Sequence, residues 1–130
     1  MTAPLHEITV DLGTLQELRS LGDSVGQDLL SEVIELFVQD TEQQLLLLHQ
    51  AVATGDAVAV GQIVHKVKGS SGQVGARQFV SSCTRLERSV AAGTPVGALD
   101  LDVMDQDYLS LRAALAEHTS LVMPQLGGAS

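Results

Sequence analysis

The chain has 130 residues, enough for one domain, and its 16 acidic and 7 basic residues give a net charge of −9 at pH 7. Hydrophobic residues make up 45% of the chain and aromatic residues only 2%, so its core must be built from Leu, Val, Ile and Ala, which favours packed helices over a β-sandwich. The negative charge argues against binding to nucleic acid or to an anionic membrane surface, because both attract positive charge.

Five helical segments are predicted in chain order. The first begins after Asp11, a good N-cap residue, and carries leucines at every third position as far as Leu21. Each later segment shows apolar residues at the three- and four-residue spacing of an amphipathic helix. These later segments span residues 27–53, 57–71, 75–90 and 99–121.

The breaks between these segments are short. Gly22 and Gly26 punctuate the end of the first helix, and residues 54–56 read as a helix stop followed by a new N-cap. A turn is predicted at 72–75 and a further break at 92–95. The polar stretch 39–44 is either a bend in the long second segment or an exposed part of it. Long amphipathic helices with short connections indicate an antiparallel helix bundle over residues 11–123, with a lead at 1–10 and a flexible tail at 124–130.

The chain is expected to be soluble and cytoplasmic. Its longest unbroken apolar run covers residues 45–48, far short of the roughly 20 residues that a membrane-spanning helix needs. The N-terminus lacks a basic start followed by an apolar stretch, so no signal peptide is expected. The single cysteine, Cys83, excludes an internal disulfide and a cysteine-cluster metal site, and we expect it to be a small core residue.

The stretch around His65 is the most unusual in the sequence. On a helix its neighbours at three and four positions include Gly61, Lys68 and Gly69. A glycine inside a helix costs about 0.5–1 kcal/mol relative to alanine, so two glycines beside one histidine need a reason. We interpret them as clearance that lets another molecule approach the imidazole, with Lys68 placed to meet an anion there.

Positive charge is concentrated in the same region. Residues 66–88 have a net charge of +4 and the rest of the chain −13. An acidic protein with one basic patch beside an exposed histidine indicates an acidic partner or a transferred anion. Five of the seven basic residues form this patch: Lys66, Lys68, Arg77, Arg85 and Arg88.

These residues give the chain a resemblance to the histidine-containing phosphotransfer (HPt) domains of two-component phosphorelays. The HPt motif His-x-x-Lys-Gly-Ser/Ala, followed by a small-residue turn and Gly-Ala/Leu, is matched in register by residues 65–76. The wider resemblance covers about residues 20–95 and, more weakly, the final helix. The matching residues are His65, Lys68, Gly69, Ser70, Gly75 and Ala76.

The resemblance implies an all-α, antiparallel up-and-down four-helix bundle with an additional short N-terminal helix. It also implies that His65 is phosphorylated on Nε2, that Lys68 attends the phosphoryl group and that Gly69 keeps the approach open. Glu87 matches a position whose side chain can hydrogen-bond the other ring nitrogen and so fix the tautomer.

Such a domain is a phosphocarrier rather than an enzyme. It would accept a phosphoryl group from a phospho-aspartate receiver domain and pass it to another, with receivers of response regulators and hybrid histidine kinases as partners. We expect a monomer that holds no cofactor of its own, since Mg²⁺ would sit on the receiver. Further contacts with the partner are expected from Gln62, Lys66, Gln73, Arg77 and Arg88.

One alternative stays open at this point: a helical module that binds a receiver or another protein without accepting phosphate. The intact set of His65, Lys68 and Gly69 argues against it, because a pure binding module needs no nucleophile in a glycine-lined gap. His6, His49 and His118 are interpreted as ordinary residues, because none has partners at metal-ligand spacing.

Overall fold

The computed structural model describes residues 10–119, and within this span the chain forms five α-helices and no strand. This architecture confirms the expected all-α bundle with an additional N-terminal helix. None of these helices is long and apolar enough to cross a membrane. The helices are α1 (Leu12–Val25), α2 (Leu29–Ala53), α3 (Ala57–Gln73), α4 (Arg77–Ala91) and α5 (Ala98–Glu117).

Aspartates define the starts of the first three helices. The side chains of Asp11, Asp28 and Asp56 accept hydrogen bonds from backbone N–H groups of the first turn, at 3.0 to 3.2 Å. Each bond satisfies a donor that the helix itself leaves unpaired. The connections are short, and Gly26 and Gly55 reverse the chain with φ of 70° and 71°, a conformation that side chains other than glycine rarely adopt.

Helices α2 to α5 form a closed antiparallel ring in which each packs on the next and α5 returns to α2. Helix α1 packs on α2 outside this ring. The seam between α2 and α5 is the most open of the four. Phe79 and Tyr108, whose ring centroids lie 5.8 Å apart, pack with Cys83 and branched aliphatic residues in the core, as expected for a chain with so few aromatic residues.

Several helix ends differ from the sequence prediction. Helix α1 continues through Gly22 to Val25, because a bare glycine lets α1 approach the backbone of the next connection. Helix α2 continues without interruption through 39–44, where Thr41 and Gln44 are buried. Helix α3 continues two residues beyond its predicted end at Ser71, so the following turn is shorter than expected.

The last helix is shorter than predicted. It ends at Glu117, and His118 already lies in a turn, so the predicted extension to Leu121 is wrong at 118 and 119. The remainder of that extension and the predicted tail at 124–130 lie outside the described residues. Of the predicted lead at 1–10, the structure describes only Val10, which is fully buried.

Candidate functional site

Helix α3 presents His65 on its exposed face. Val60, Val64 and Val67 are buried in the bundle at helical spacing, so the opposite face of the helix lies in solvent. The His65 side chain is 75% exposed. The exposed face also carries Gln62, Lys66, Gly69, Gly72 and Gln73.

Helix α4 supplies a carboxylate that joins His65 to Lys68. Oε2 of Glu87 lies 2.9 Å from Nδ1 of His65, and Oε1 lies 2.5 Å from Nζ of Lys68. Lys68 follows His65 by three residues, so both side chains lie on the same side of α3 and reach the same glutamate. A single carboxylate therefore orients both the imidazole and the ammonium group.

This geometry fixes which ring nitrogen is available. The hydrogen bond from Lys68, and then that from His65, lower the pKa of Glu87 below its usual value of 4.5. At neutral pH Glu87 is therefore an ionised carboxylate, which accepts hydrogen bonds and donates none. In the neutral imidazole the proton must then lie on Nδ1, so the lone pair belongs to Nε2.

The glycines around His65 have different roles. A Cβ atom at Gly69 or Gly72 would meet no atom within 4 Å, so the space beside these residues is open. A Cβ atom at Gly61 would instead lie 3.4 Å from Cγ1 of Val90 on α4. A side chain at Gly61 would therefore point toward α4 and make an ordinary contact with Val90, whereas a side chain at Gly69 or Gly72 would project into open space.

The predicted partner-binding residues divide into two groups. Gln62 and Lys66 lie within one turn of His65, and Gln73 and Arg77 lie exposed at the end of α3 and the start of α4. Arg88 instead lines a groove between α4 and α5. Arg88 directly follows Glu87, and successive residues point about 100° apart around a helix. The side chain of Arg88 therefore leaves α4 in a different direction from that of Glu87.

Two features of the site were not anticipated from the sequence. The first is the ion pair between Lys68 and Glu87. Glu87 is the only acid between residues 66 and 88, and that isolation is the signal that could have indicated the pair. The second is a similar arrangement on the other side of the bundle, where Nε2 of His49 lies 2.9 Å from Oδ2 of Asp105. Between residues 10 and 119 no group of three or more His, Cys, Asp or Glu side chains is placed to hold a metal ion.

Comparison with known proteins gives one family. The family model for the Hpt domain matches residues 32–119. The chain is 31% identical over 109 residues to histidine-containing phosphotransfer protein 2 of Arabidopsis thaliana, covering 81% of this chain and 70% of that protein. It is 32% identical over 100 residues to histidine-containing phosphotransfer protein 1 of rice (Oryza sativa subsp. japonica), covering 75% of this chain and 68% of that protein.

Solved structures give the same result for the fold. The crystal structure of histidine-containing phosphotransfer protein B from Pseudomonas aeruginosa PAO1 aligns with a TM-score of 0.75 and 26% identity, over 89% of this chain and 95% of that one. A putative histidine-containing phosphotransfer protein from rice aligns with a TM-score of 0.73 and 27% identity, over 85% of this chain and 79% of that one. The region matched by the family model contains His65, Lys68 and Glu87.

Proposed function

Since this chain belongs to the HPt domain family, we propose that it is a phosphorelay carrier that accepts a phosphoryl group on His65 from a phospho-aspartate receiver domain and passes it to a second receiver. The observation that supports this role is the state of the His65 ring. It is largely exposed, Nδ1 is held by Glu87, and Nε2 makes no hydrogen bond within residues 10–119.

The transfer requires little chemistry from the carrier. The Nε2 lone pair forms a bond to phosphorus as the bond between phosphorus and the aspartate oxygen breaks, and the aspartate leaves as a carboxylate. The ring becomes cationic and keeps its proton on Nδ1, where the Glu87 carboxylate stabilises the charge. Transfer to the next aspartate reverses these steps and returns His65 to its starting state, so the proposed role is that of a phosphocarrier.

Lys68 is proposed to interact with both Glu87 and the phosphoryl group. In the free protein its ammonium group pairs with Glu87, one turn from His65. A phosphoryl group on Nε2 brings negative oxygens to the same face of α3, and Lys68 would then share its three N–H donors between these oxygens and Glu87. Lys68 is thereby proposed to stabilise the transferred charge.

The proposed partners are receiver domains of response regulators and hybrid histidine kinases. They would dock over the exposed face of α3, where the missing side chains of Gly69 and Gly72 leave room and Gln62, Lys66 and Gln73 flank the histidine. Any Mg²⁺ would be bound by the receiver. Arg77 lies at the end of this face, whereas Arg88, on the α4–α5 side, is proposed to act only through long-range attraction.

The experiment is transfer of ³²P from a phosphorylated receiver domain to the purified chain. We expect an acid-labile, alkali-stable label that His65→Gln abolishes. His49→Gln is the matched control, because His49 is also partly exposed and also pairs with a carboxylate, and it should keep the full label. Full labelling of the His65→Gln protein would contradict the assignment. Receiver binding without any label on the unmodified chain would favour the alternative of a binding module without phosphotransfer.

A further inference from the structure

The seam between α2 and α5 forms an apolar groove on the opposite side of the bundle from His65. In the ring of four helices, this seam lies across from the α3–α4 seam that holds His65 and Glu87. The groove has a volume of about 500 Å³. It is lined by Glu42, Leu45, Leu46, His49, Asp105, Tyr108 and Leu109.

The walls of this groove are exposed leucines. Leu45 and Tyr108 are buried and form its floor, whereas Leu46 is 66% and Leu109 42% exposed. Large aliphatic side chains held open on either side of a groove are typical of a surface that binds another apolar surface. Since the groove runs between two helices, a third helix laid along it would bury both leucines with ordinary helix packing.

Charge is distributed very unevenly between the two sides of the ring. Helices α2 and α5 together carry nine acidic residues and one arginine, a net charge of −8. Helices α3 and α4 carry five basic residues and one acid, a net charge of +4. The groove therefore lies in the acidic half of the molecule and the proposed phosphoryl site in the basic half.

Internal pairing removes only part of this negative charge. Glu42 lies 3.4 Å from Nη1 of Arg112, so that carboxylate has a cation beside it. Asp105 pairs with His49, and Asp107 lies 4.0 Å from Nη2 of Arg85 on α4. Asp102, one turn before Asp105, is exposed.

We propose that the α2–α5 groove is a second docking site, which binds an amphipathic helix with basic residues on a partner protein. The leucines provide the apolar contact and the acidic half of the bundle attracts and orients the basic flanks. A second copy of this chain is the poorer occupant, because a symmetric dimer through this seam would bring the acidic helices of one copy against the acidic helices of the other. Since His65 lies on the other side, a partner bound here leaves it accessible.

The test uses a synthetic 18-residue amphipathic peptide with a leucine stripe and lysines elsewhere, and a control peptide with glutamate in place of lysine. Binding to the full chain is measured by fluorescence anisotropy and located by ¹⁵N chemical-shift mapping. We expect the lysine peptide to shift resonances of α2 and α5 around Leu46 and Leu109, and the glutamate peptide to bind at least about tenfold more weakly.

Leu46→Gln and Leu109→Gln should each weaken the lysine peptide by about tenfold, since each removes an apolar contact from the groove. Leu36→Gln is the matched control, because Leu36 lies on the same helix, is also 66% exposed and does not line the groove. Binding of the lysine peptide to Leu36→Gln should not change. Because all three leucines are exposed, we expect the variants to fold, and unchanged thermal melting curves would confirm this.

Several results would overturn this proposal. They are the absence of binding, shifts spread over the whole surface, equal binding of the two peptides, and equal loss in Leu36→Gln and Leu46→Gln. Sedimentation that shows self-association lost in Leu46→Gln would assign the groove to a second copy instead. None of these measurements depends on phosphotransfer by His65.

Discussion

Glu87 binds His65 with one carboxylate oxygen and Lys68 with the other, so its protonation state affects both residues. Lys68 is the largest cause of its lowered pKa, and we expect Lys68→Ala to raise the pKa of Glu87 toward 4.5. An NMR titration of the Glu87 carboxyl carbon measures this change. Arg77→Ala, which removes an exposed cation elsewhere, should leave the titration unchanged.

The same shift gives the direction of the pH dependence. A carboxyl group with a lower pKa in the folded protein than in the unfolded chain stabilises the fold fully above its unfolded pKa. This contribution is lost as the pH falls through the lower, folded pKa, so the stability that Glu87 contributes should be lost at pH values below 4.5.

An unchanged Glu87 pKa in Lys68→Ala would show that the ion pair does not form in solution.

Gly69 is the position at which stability and transfer should separate. Its missing side chain is not required by packing, because a Cβ atom there would meet nothing within 4 Å. Gly69→Leu should stabilise the fold by about 0.5–1 kcal/mol, since leucine is the better helix former, but it should slow transfer because its side chain projects beside His65. Urea denaturation and a transfer assay on one sample measure the two effects.

Gly61→Leu provides the contrast, because its Cβ would already contact Val90 and the larger leucine side chain should crowd the α3–α4 contact and destabilise it. If Gly69→Leu transfers phosphate at the unchanged rate, open space beside His65 is not required for docking.

The sequence predicted which residues lie at the site better than how they interact. Helical spacing alone places Lys68 and Gly69 on the side of α3 that carries His65. The contact of Lys68 with Glu87 depends on how α4 aligns against α3, which spacing within one helix does not determine. For the same reason, spacing does not separate Gly61, whose Cβ would meet Val90 on α4, from Gly69, whose Cβ would meet open space.

Gly22 lies at a close contact between α1 and the start of α2. A Cβ atom there would lie 2.5 Å from the carbonyl oxygen of Gln27 and 2.9 Å from the backbone nitrogen of Leu29. Because backbone atoms cannot move aside cheaply, Gly22→Ala should destabilise the protein by about 1–3 kcal/mol. Chemical denaturation measures the change, and Gly72→Ala is the control.

Gly72 is also a glycine within a helix, but the space beside it is open. Gly72→Ala should therefore raise the free energy of unfolding by about 0.5–1 kcal/mol, the ordinary helix preference for alanine. Equal effects of the two substitutions would show that α1 does not approach α2 as closely as described.

Helix identity was predictable because the apolar residues recur at helical spacing through each segment. The ends of the helices were less predictable, because they depend on tertiary contacts. Gly22 looked like a helix stop in the sequence, yet α1 continues for three further residues because the glycine lies against the next connection. The sequence alone left open whether the polar stretch 39–44 is a bend or an exposed part of the helix. In the structure the helix is continuous and Thr41 and Gln44 are buried, which depends on the neighbouring helices and not on the local sequence.

The basic half of the bundle, around α3 and α4, should affect how fast a receiver associates. Exposed charges act mainly on the association rate and are screened over about 8–10 Å at ordinary ionic strength. Neutralising Arg77 or Arg88 should slow transfer at low salt and have little effect at high salt. Lys68→Ala should slow it at both, because Lys68 lies one turn from His65 beside the same glutamate.

Stopped-flow transfer measured at two salt concentrations distinguishes these two kinds of cation. A defect of Lys68→Ala that disappeared at high salt would place Lys68 among the long-range charges and remove it from the proposed phosphoryl site.

The antiparallel topology has a consequence for the native-state fluctuations of the protein. His65, Lys68 and Glu87 all lie on one helical hairpin, α3–α4, which is joined by a very short turn. The ring closes at its most open seam, where α5 meets α2. Opening that begins at this seam can expose the inner faces of α2 and α5 to hydrogen exchange while the hairpin stays folded. Opening of this kind would leave the geometry around His65 intact, because His65, Lys68 and Glu87 all belong to the hairpin.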